Sequence, residues 1–227
     1  VRDRPASPRG TLDAARIISA AVAFIDEHGL HRLTMQRLGA HLGVEAMALY
    51  RYVPGREALL DGVVDAVVDE LFRDPEVHLR AHAGWADYLR RLAHGVRRTA
   101  LAHPEIFPLI ATRPPAAPWV RPPLRSLRWI ESLLEVMTGA GLSGADAAVV
   151  YRGFSGFLLG HLLLEVSVRG DRRAGPPAAD LAGYPLLRRL RPQLSAGLGV
   201  RDFEEALQAQ LDRIARMLPP QGPGSRG

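Results

Sequence analysis

Leu33-Thr-Met-Gln-Arg-Leu-Gly-Ala-His-Leu-Gly-Val-Glu-Ala-Met-Ala-Leu-Tyr-Arg-Tyr-Val53 holds two short helical patterns separated by Gly43. Thr34 is a natural N-cap, because its hydroxyl can accept from a backbone N–H two or three residues on. Leu38 and Leu42 then stand one turn apart on an apolar face. Gly43 supplies the left-handed conformation of a tight turn, with Val44 packing beneath it. The second pattern buries Leu49 and Val53 and turns Ala46, Met47, Ala48, Tyr50, Arg51 and Tyr52 outward. Two helices about a glycine turn read as a DNA-binding helix-turn-helix. An ordinary helical hairpin has the same spacing.

Residue identity narrows the choice. Leu33-Thr34, Leu42-Gly43-Val44, Ala48-Leu49-Tyr50 and Arg56-Glu57-Ala58-Leu59-Leu60 resemble the signature of the TetR family of bacterial transcriptional repressors, over about residues 12–62. The resemblance implies an all-α fold: a three-helix DNA-binding domain over 11–62, then a helical ligand-binding and dimerisation domain over 63–218. The segments 1–10 and 219–227 read as flexible tails, and 170–199 as a flexible connection with a helical turn at Leu186–Leu190.

Composition sets the bounds. Nearly half of the 227 residues are hydrophobic, enough for a substantial core. The net charge is a modest +5, and all 29 basic residues are arginine. Arginine suits phosphates and guanine edges, although a GC-rich genome explains the bias equally simply. The absence of cysteine excludes disulfides, Cys-based zinc sites and thiol sensing. No run approaches the ~18 apolar residues of a membrane span, and Val1-Arg-Asp-Arg-Pro5 lacks a signal-peptide core. A soluble cytoplasmic protein is expected, with no cofactor, metal or membrane partner.

Outside the opening stretch the periodicity predicts helices throughout. Helix 1 is expected from Leu12 to His28, with Ile17, Ala21, Phe24 and Ile25 inward. A long helix follows from Arg56 to Phe72, with Leu59, Leu60, Val63, Val67 and Leu71 in the core, stopped by Asp74-Pro75. Further helices are expected over 84–103, at Ile106–Ala111, from Trp119 to Ala140, from Ser143 to Arg169 and from Asp202 to Leu218. Leu124, Leu127, Ile130, Leu134 and Met137 are the expected inner face of the Trp119–Ala140 helix. Gly153, Gly156 and Gly160 lie at three- and four-residue spacing inside a helix, where each costs about 1 kcal/mol against alanine. Close approach by a partner helix across a two-fold axis is the favoured reason; close packing inside one subunit is the other. The stripe Phe203, Leu207, Leu211, Ile214 either completes the core or joins that dimer contact.

A head of this kind would lay residues 45–51 in the major groove. Ala46, Met47 and Ala48 can touch thymine methyls, leaving polar base readout to Arg51, Arg37 or Gln36. Thr34, Tyr50, Tyr52 and Arg56 match family positions that hold phosphates. One of the two tyrosines is expected to be partly core.

For the C-terminal part the resemblance narrows to the tetracycline-repressor subgroup, through Ala111-Thr112-Arg113-Pro114 and Gly156-Phe157-Leu158-Leu159-Gly160. It implies a small-molecule effector. Candidate walls are Trp85, Leu89, Phe107, Ile110, Trp119, Trp129, Leu133, Phe154 and Phe157, with His103, Tyr151 and His161 as polar points. Taken singly, each reads better as a core residue. The subgroup's two magnesium-site side chains and its drug-meeting histidine correspond to Leu109, Leu164 and Phe72, which argues against tetracycline–magnesium sensing. His161 and Glu165 at i, i+4 could hold a metal, but a surface or core pair is the safer reading. No glycine-rich phosphate loop or nucleophile elbow suggests an enzyme. The resulting expectation is a homodimeric repressor of a palindromic operator, released by a small apolar or aromatic effector. A TetR-like activator, or a helical interaction module without DNA binding, is the alternative.

Overall fold

A computed structural model describes residues 11–74, 77, 84–113, 127–170, 181, 183–194 and 199–219, and all its regular elements are helical. In order they are α1 (Ala14–His28), a 3-10 turn (Leu30–Arg32), α2 (Met35–Leu42), α3 (Ala46–Leu49), α4 (Arg56–Arg73), α5 (Trp85–Ala102), α6 (Phe107–Thr112), α7 (Leu127–Gly139), α8 (Gly144–Gly170), α9 (Pro185–Leu194) and α10 (Val200–Ala215). The two expected tails lie outside the described residues, apart from Pro219.

The chain divides into two compact units between Asp69 and Glu70. The buried stripe of α4 runs across the expected boundary at 62–63, from Leu59 and Leu60 through Val63, Val64 and Val67. The first unit starts with Asp13, whose carboxylate accepts from the Arg16 N–H at 2.7 Å and caps α1 two residues later than expected. Ile17, Ala21, Phe24 and Ile25 of α1 are buried, as are Leu33, Met35, Leu38, Leu49 and Val53. Where α1 and α4 meet, Gly62 leaves room for the Ile18 side chain.

In the second unit α8 is central and packs against α5, α6, α7 and α10. Its stretch Gly144–Val168, with a mean hydropathy of 1.4, is by length and composition long enough and apolar enough to cross a membrane. This corrects the expectation that no such run exists. Glycine and alanine dilute the polarity of the helix without making it visibly apolar. Buried Val150, Tyr151, Phe154, Leu158, Leu162 and Val166 show how much of it forms core inside the unit.

Several expectations change here. On α7 the inner face is Trp129, Ile130, Leu133 and Met137, whereas Leu127 is exposed and Leu134 half-buried. Leu124, Trp119 and the start expected for this helix lie outside the described residues. Within 170–199, a ten-residue helix, α9, stands where a single turn was expected. Its apolar side chains Leu186, Leu187, Leu190 and Leu194 are exposed. Phe203, Leu207, Leu211 and Ile214 of α10 are buried in their own chain rather than presented to a partner. They seat α10 on α5, where Arg90 donates to Gln208 at 3.0 Å and His94 lies 3.4 Å from Glu204.

Candidate functional site

The first candidate site is the surface carried by α2 and α3. The Thr34 hydroxyl accepts from the Arg37 N–H at 3.2 Å, so it caps α2 as its residue type requires. Gly43 ends α2 with φ +71°, a left-handed conformation that penalises any side chain. The Val44 N–H then returns to the Gly39 carbonyl at 2.9 Å, which fixes the turn. Gly39 is the residue that sequence reasoning missed. It is buried where α2 meets the start of α3, and a Cβ there would lie 2.8 Å from the Val44 carbonyl oxygen. Only tertiary packing reveals this, since a single glycine within a helical pattern does not say which backbone approaches it.

The regular part of α3 is short, Ala46–Leu49, and the chain turns on through the Val53 N–H, which donates to the Leu49 carbonyl at 2.9 Å. Leu49 and Val53 hold this segment to the core. On its other side Met47 is 71% exposed, and Tyr50 and Tyr52 are each 44% exposed. The expectation that one tyrosine would be partly core is therefore corrected: both stand out alike, because Leu49 and Val53 fill the inward positions. Thr34, Gln36, Arg37, Arg51 and Arg56 are exposed too, while Ala46 and Ala48 are half-buried. Arg37 also donates to the Arg32 carbonyl at 3.3 Å, and Arg56 lies 3.8 Å from Glu57. The surface thus offers an apolar knob, two phenols and cations that water already reaches.

The second candidate is a cleft of about 270 Å³, including its mouth, in the helical C-terminal unit. Val96, Phe107, Ile110, Trp129, Ser155, Leu158 and Leu159 line it. Three of the expected wall residues, Phe107, Ile110 and Trp129, are brought together here. Sequence reasoning missed Val96, Ser155, Leu158 and Leu159. Leu89, Leu133, Tyr151 and Phe154 are buried but do not line the cleft, and Trp85 is half-buried away from it. His103 does not reach it either: its Nε2 lies 3.4 Å from Glu70.

Phe157 and His161 belong to a neighbouring aromatic cluster. The Phe157 ring stacks on Phe203 with centroids 6.1 Å apart, and His161 meets Phe203 edge-on at 5.5 Å. The i, i+4 partner of His161 is engaged elsewhere. Both Glu165 oxygens accept from Arg97, at 2.9 Å from Nε and 2.6 Å from Nη2, so the pair is not arranged as a metal site. Arg97 also lies over the Phe203 ring, 5.4 Å from its centroid.

Two buried tyrosines keep their protons. Burial pushes Tyr88 up to about 12 and outweighs its 2.9 Å hydrogen bond with Ser132, which acts in the opposite direction. Burial likewise pushes Tyr151 up to about 12. The fold therefore favours the neutral phenols. Their contribution to stability is complete below about pH 10, where the unfolded side chain ionises, and is lost as pH rises toward 12. In an alkaline titration followed by phenolate absorbance, two of the five tyrosines should hold back until the unit unfolds. Ionisation of all five in one early step would contradict this burial.

On α8, a Cβ on Gly153 would lie 2.6 Å from Arg213 Nη1, so this glycine admits a side chain of its own chain rather than a partner. Gly156 and Gly160 face open space among the described residues.

With this geometry established, comparison with known proteins is decisive. The model of bacterial regulatory proteins of the tetR family matches residues 17–63, and that of the tetracyclin repressor-like C-terminal domain matches 80–218. The chain belongs to the TetR family. It is accordingly a transcriptional regulator and not an enzyme. Relatives agree along almost the whole length. An HTH-type transcriptional repressor of Mycobacterium tuberculosis is 27% identical over 226 residues, covering 92% of this chain and 83% of the relative. The tetracycline repressor protein class A of Escherichia coli is 28% identical over 207 residues, covering 88% of this chain and 89% of its own. Among solved structures, a possible TetR family transcriptional regulator from Streptomyces coelicolor superposes with a TM-score of 0.74 at 29% identity, covering 90% of this chain and 99% of that one. The Streptomyces coelicolor TetR family protein ActR, solved in complex with (S)-DNPA, gives 0.68 at 25% identity, covering 92% and 100%.

Proposed function

We propose that this TetR-family chain is a cytoplasmic repressor that binds a palindromic DNA operator as a homodimer and leaves it when a small apolar or aromatic molecule enters the C-terminal unit. The observation that carries the reading is the outward surface of Met47, Tyr50, Arg51 and Tyr52 on a segment whose other side is fully cored. Side chains held by such a core can be presented to a groove without reorganisation. Ala46, Met47 and Ala48 would meet thymine methyls, and Arg51, with Gln36 and Arg37 beside it, would read base edges. Thr34, Tyr50, Tyr52 and Arg56 would hold phosphates and set register. Gly156 and Gly160, open on the outer side of α8, support a dimer contact there. The names of relatives, an HTH-type repressor and a tetracycline repressor, support the sign of control.

The effector is not expected to be a tetracycline–magnesium chelate. Leu109 and Leu164 offer no metal donor, and the Phe72 ring lies under Arg128 at 5.2 Å. Release follows from linkage. A ligand that favours the DNA-incompetent state lowers DNA affinity by the same factor by which DNA lowers its own.

The test is selection of random duplex DNA by the purified protein, followed by salt titration on the enriched sequence. A palindrome is expected. Arg56→Ala should weaken binding to every sequence and reduce the salt slope by about one phosphate contact, while Arg51→Ala should relax preference at one position of each half-site. Enrichment of nothing, repeated after refolding without ligand, would sink the reading.

A further inference from the structure

The wall of the cleft holds a buried hydroxyl that the fold leaves unused. Ser155 is 1% exposed, lines the cleft from α8, and its Oγ has no hydrogen-bond partner among the described residues. Among the described residues the other buried helical serine, Ser132, pairs with Tyr88 at 2.9 Å, and three exposed helical hydroxyls close on a backbone carbonyl. Thr112 donates to the Pro108 carbonyl at 2.7 Å, Thr138 to that of Leu134 at 2.8 Å and Ser167 to that of Leu164 at 2.9 Å. Ser155 does none of this. Alanine would fill the position without leaving a hydroxyl unsatisfied, so the oxygen has no structural reason to be there.

The rest of the lining sets the kind of molecule that would use it. Val96, Phe107, Ile110, Leu158 and Leu159 are apolar, and Trp129 adds a second aromatic ring whose only polar atom is its indole N–H. Among the described residues no charged side chain lines the cleft. Arg97, the neighbour of Val96, is held by Glu165 and by the Phe203 ring. An ionised ligand would therefore enter without a counter-charge, which a low-dielectric site penalises heavily. Its volume of about 270 Å³ counts the open mouth, so the enclosed space is smaller than ordinary ligand pockets of roughly 300–1,000 Å³ and suits only a small molecule.

We infer that the effector cleft takes a small, neutral aromatic molecule bearing one hydroxyl or carbonyl oxygen, and that Ser155 is the residue that selects for that oxygen. The inference rests on the proposed effector site and adds its chemical class. A serine hydroxyl both donates and accepts, so it serves a phenol or a ketone.

Three probes on one ring skeleton test it with the full-length protein: naphthalene, 2-naphthol and 2-naphthoate, each titrated by ligand-detected NMR. The unsubstituted chain should bind 2-naphthol about 2- to 10-fold more tightly than naphthalene, the span of one net neutral hydrogen bond. It should bind 2-naphthoate more weakly than either. Ser155→Ala should bring 2-naphthol down to naphthalene or below while leaving naphthalene unchanged, which also shows that the cleft is intact. Ser155→Thr, which keeps the hydroxyl, should retain the preference. Ile110→Trp, which fills the cleft, should abolish both. If 2-naphthol shows no preference, or keeps it in Ser155→Ala, the role of Ser155 is overturned while the cleft stands. If no probe binds, or Ile110→Trp leaves binding untouched, the effector site itself is wrong and the inference falls with it.

Discussion

Arg97→Met is expected to destabilise the C-terminal unit by about 3–5 kcal/mol, the usual consequence of removing one partner from a buried ion pair. Glu165 is 0% exposed, and both its oxygens depend on Arg97, whose side chain is itself only 13% exposed. Methionine restores the bulk of the arginine stem against Phe203 but removes both hydrogen bonds and the positive charge that Arg97 brings to the buried carboxylate. All three tryptophans, Trp85, Trp119 and Trp129, lie in the second unit, so urea unfolding followed by their fluorescence reports that unit directly. The midpoint should fall with little change in slope. The double variant Arg97→Met/Glu165→Leu should recover most of the loss, because apolar packing often replaces a buried pair at no net cost. A single variant within about 0.5 kcal/mol of the parent, the range of ordinary surface substitutions, would show that water reaches Glu165.

That pair also marks where sequence reading ends. Arg97 and Glu165 are 68 residues apart, and the sequence pointed Glu165 to its near neighbour His161 rather than to Arg97. A buried ion pair leaves no periodic trace. Signals confined to one turn were legible: the cap at Thr34, the left-handed turn at Gly43 and the inward Leu38, Leu49 and Val53. Ser143 is of the same kind, accepting from the Asp146 N–H at 3.1 Å at the head of α8. Periodicity also gave the α10 stripe, but a stripe says only that something covers it. Whether that cover is the same chain or a second copy is a tertiary fact, and here α5 and α8 provide it. Composition misled at α9, where proline, glycine and arginine suggested a loop and obscured leucines spaced for a helix. In the cleft, the aromatic residues drew attention while Ser155 did not, because a lone serine in an apolar helix has no expected partner to miss.

Gly39→Ala should cost DNA affinity far more than it costs stability. Within α2, alanine gains about 1 kcal/mol of helix propensity over glycine. Against this, the new methyl would sit 2.8 Å from the Val44 carbonyl oxygen and 3.2 Å from the Ala46 nitrogen. These are backbone atoms, so no rotamer change relieves the clash, and overpacking of this kind costs about 1–3 kcal/mol. The two effects partly offset, and the head stays folded. Relief comes from moving the turn, and the turn carries α3. Every bidentate hydrogen-bond pair to a base that this movement breaks removes ~1–3 kcal/mol, so affinity for the selected operator should drop about 10-fold or more, with non-specific binding much less affected. Gly43→Ala is the informative contrast. Open space surrounds it, but its φ of +71° strains any side chain, so it should lose about 1–2 kcal/mol of stability while its folded fraction keeps its sequence preference. Thermal melting of each variant beside titration of selected and scrambled duplexes separates the two effects. Equal loss on both duplexes for Gly39→Ala would mean that α3 is not the element that reads the bases.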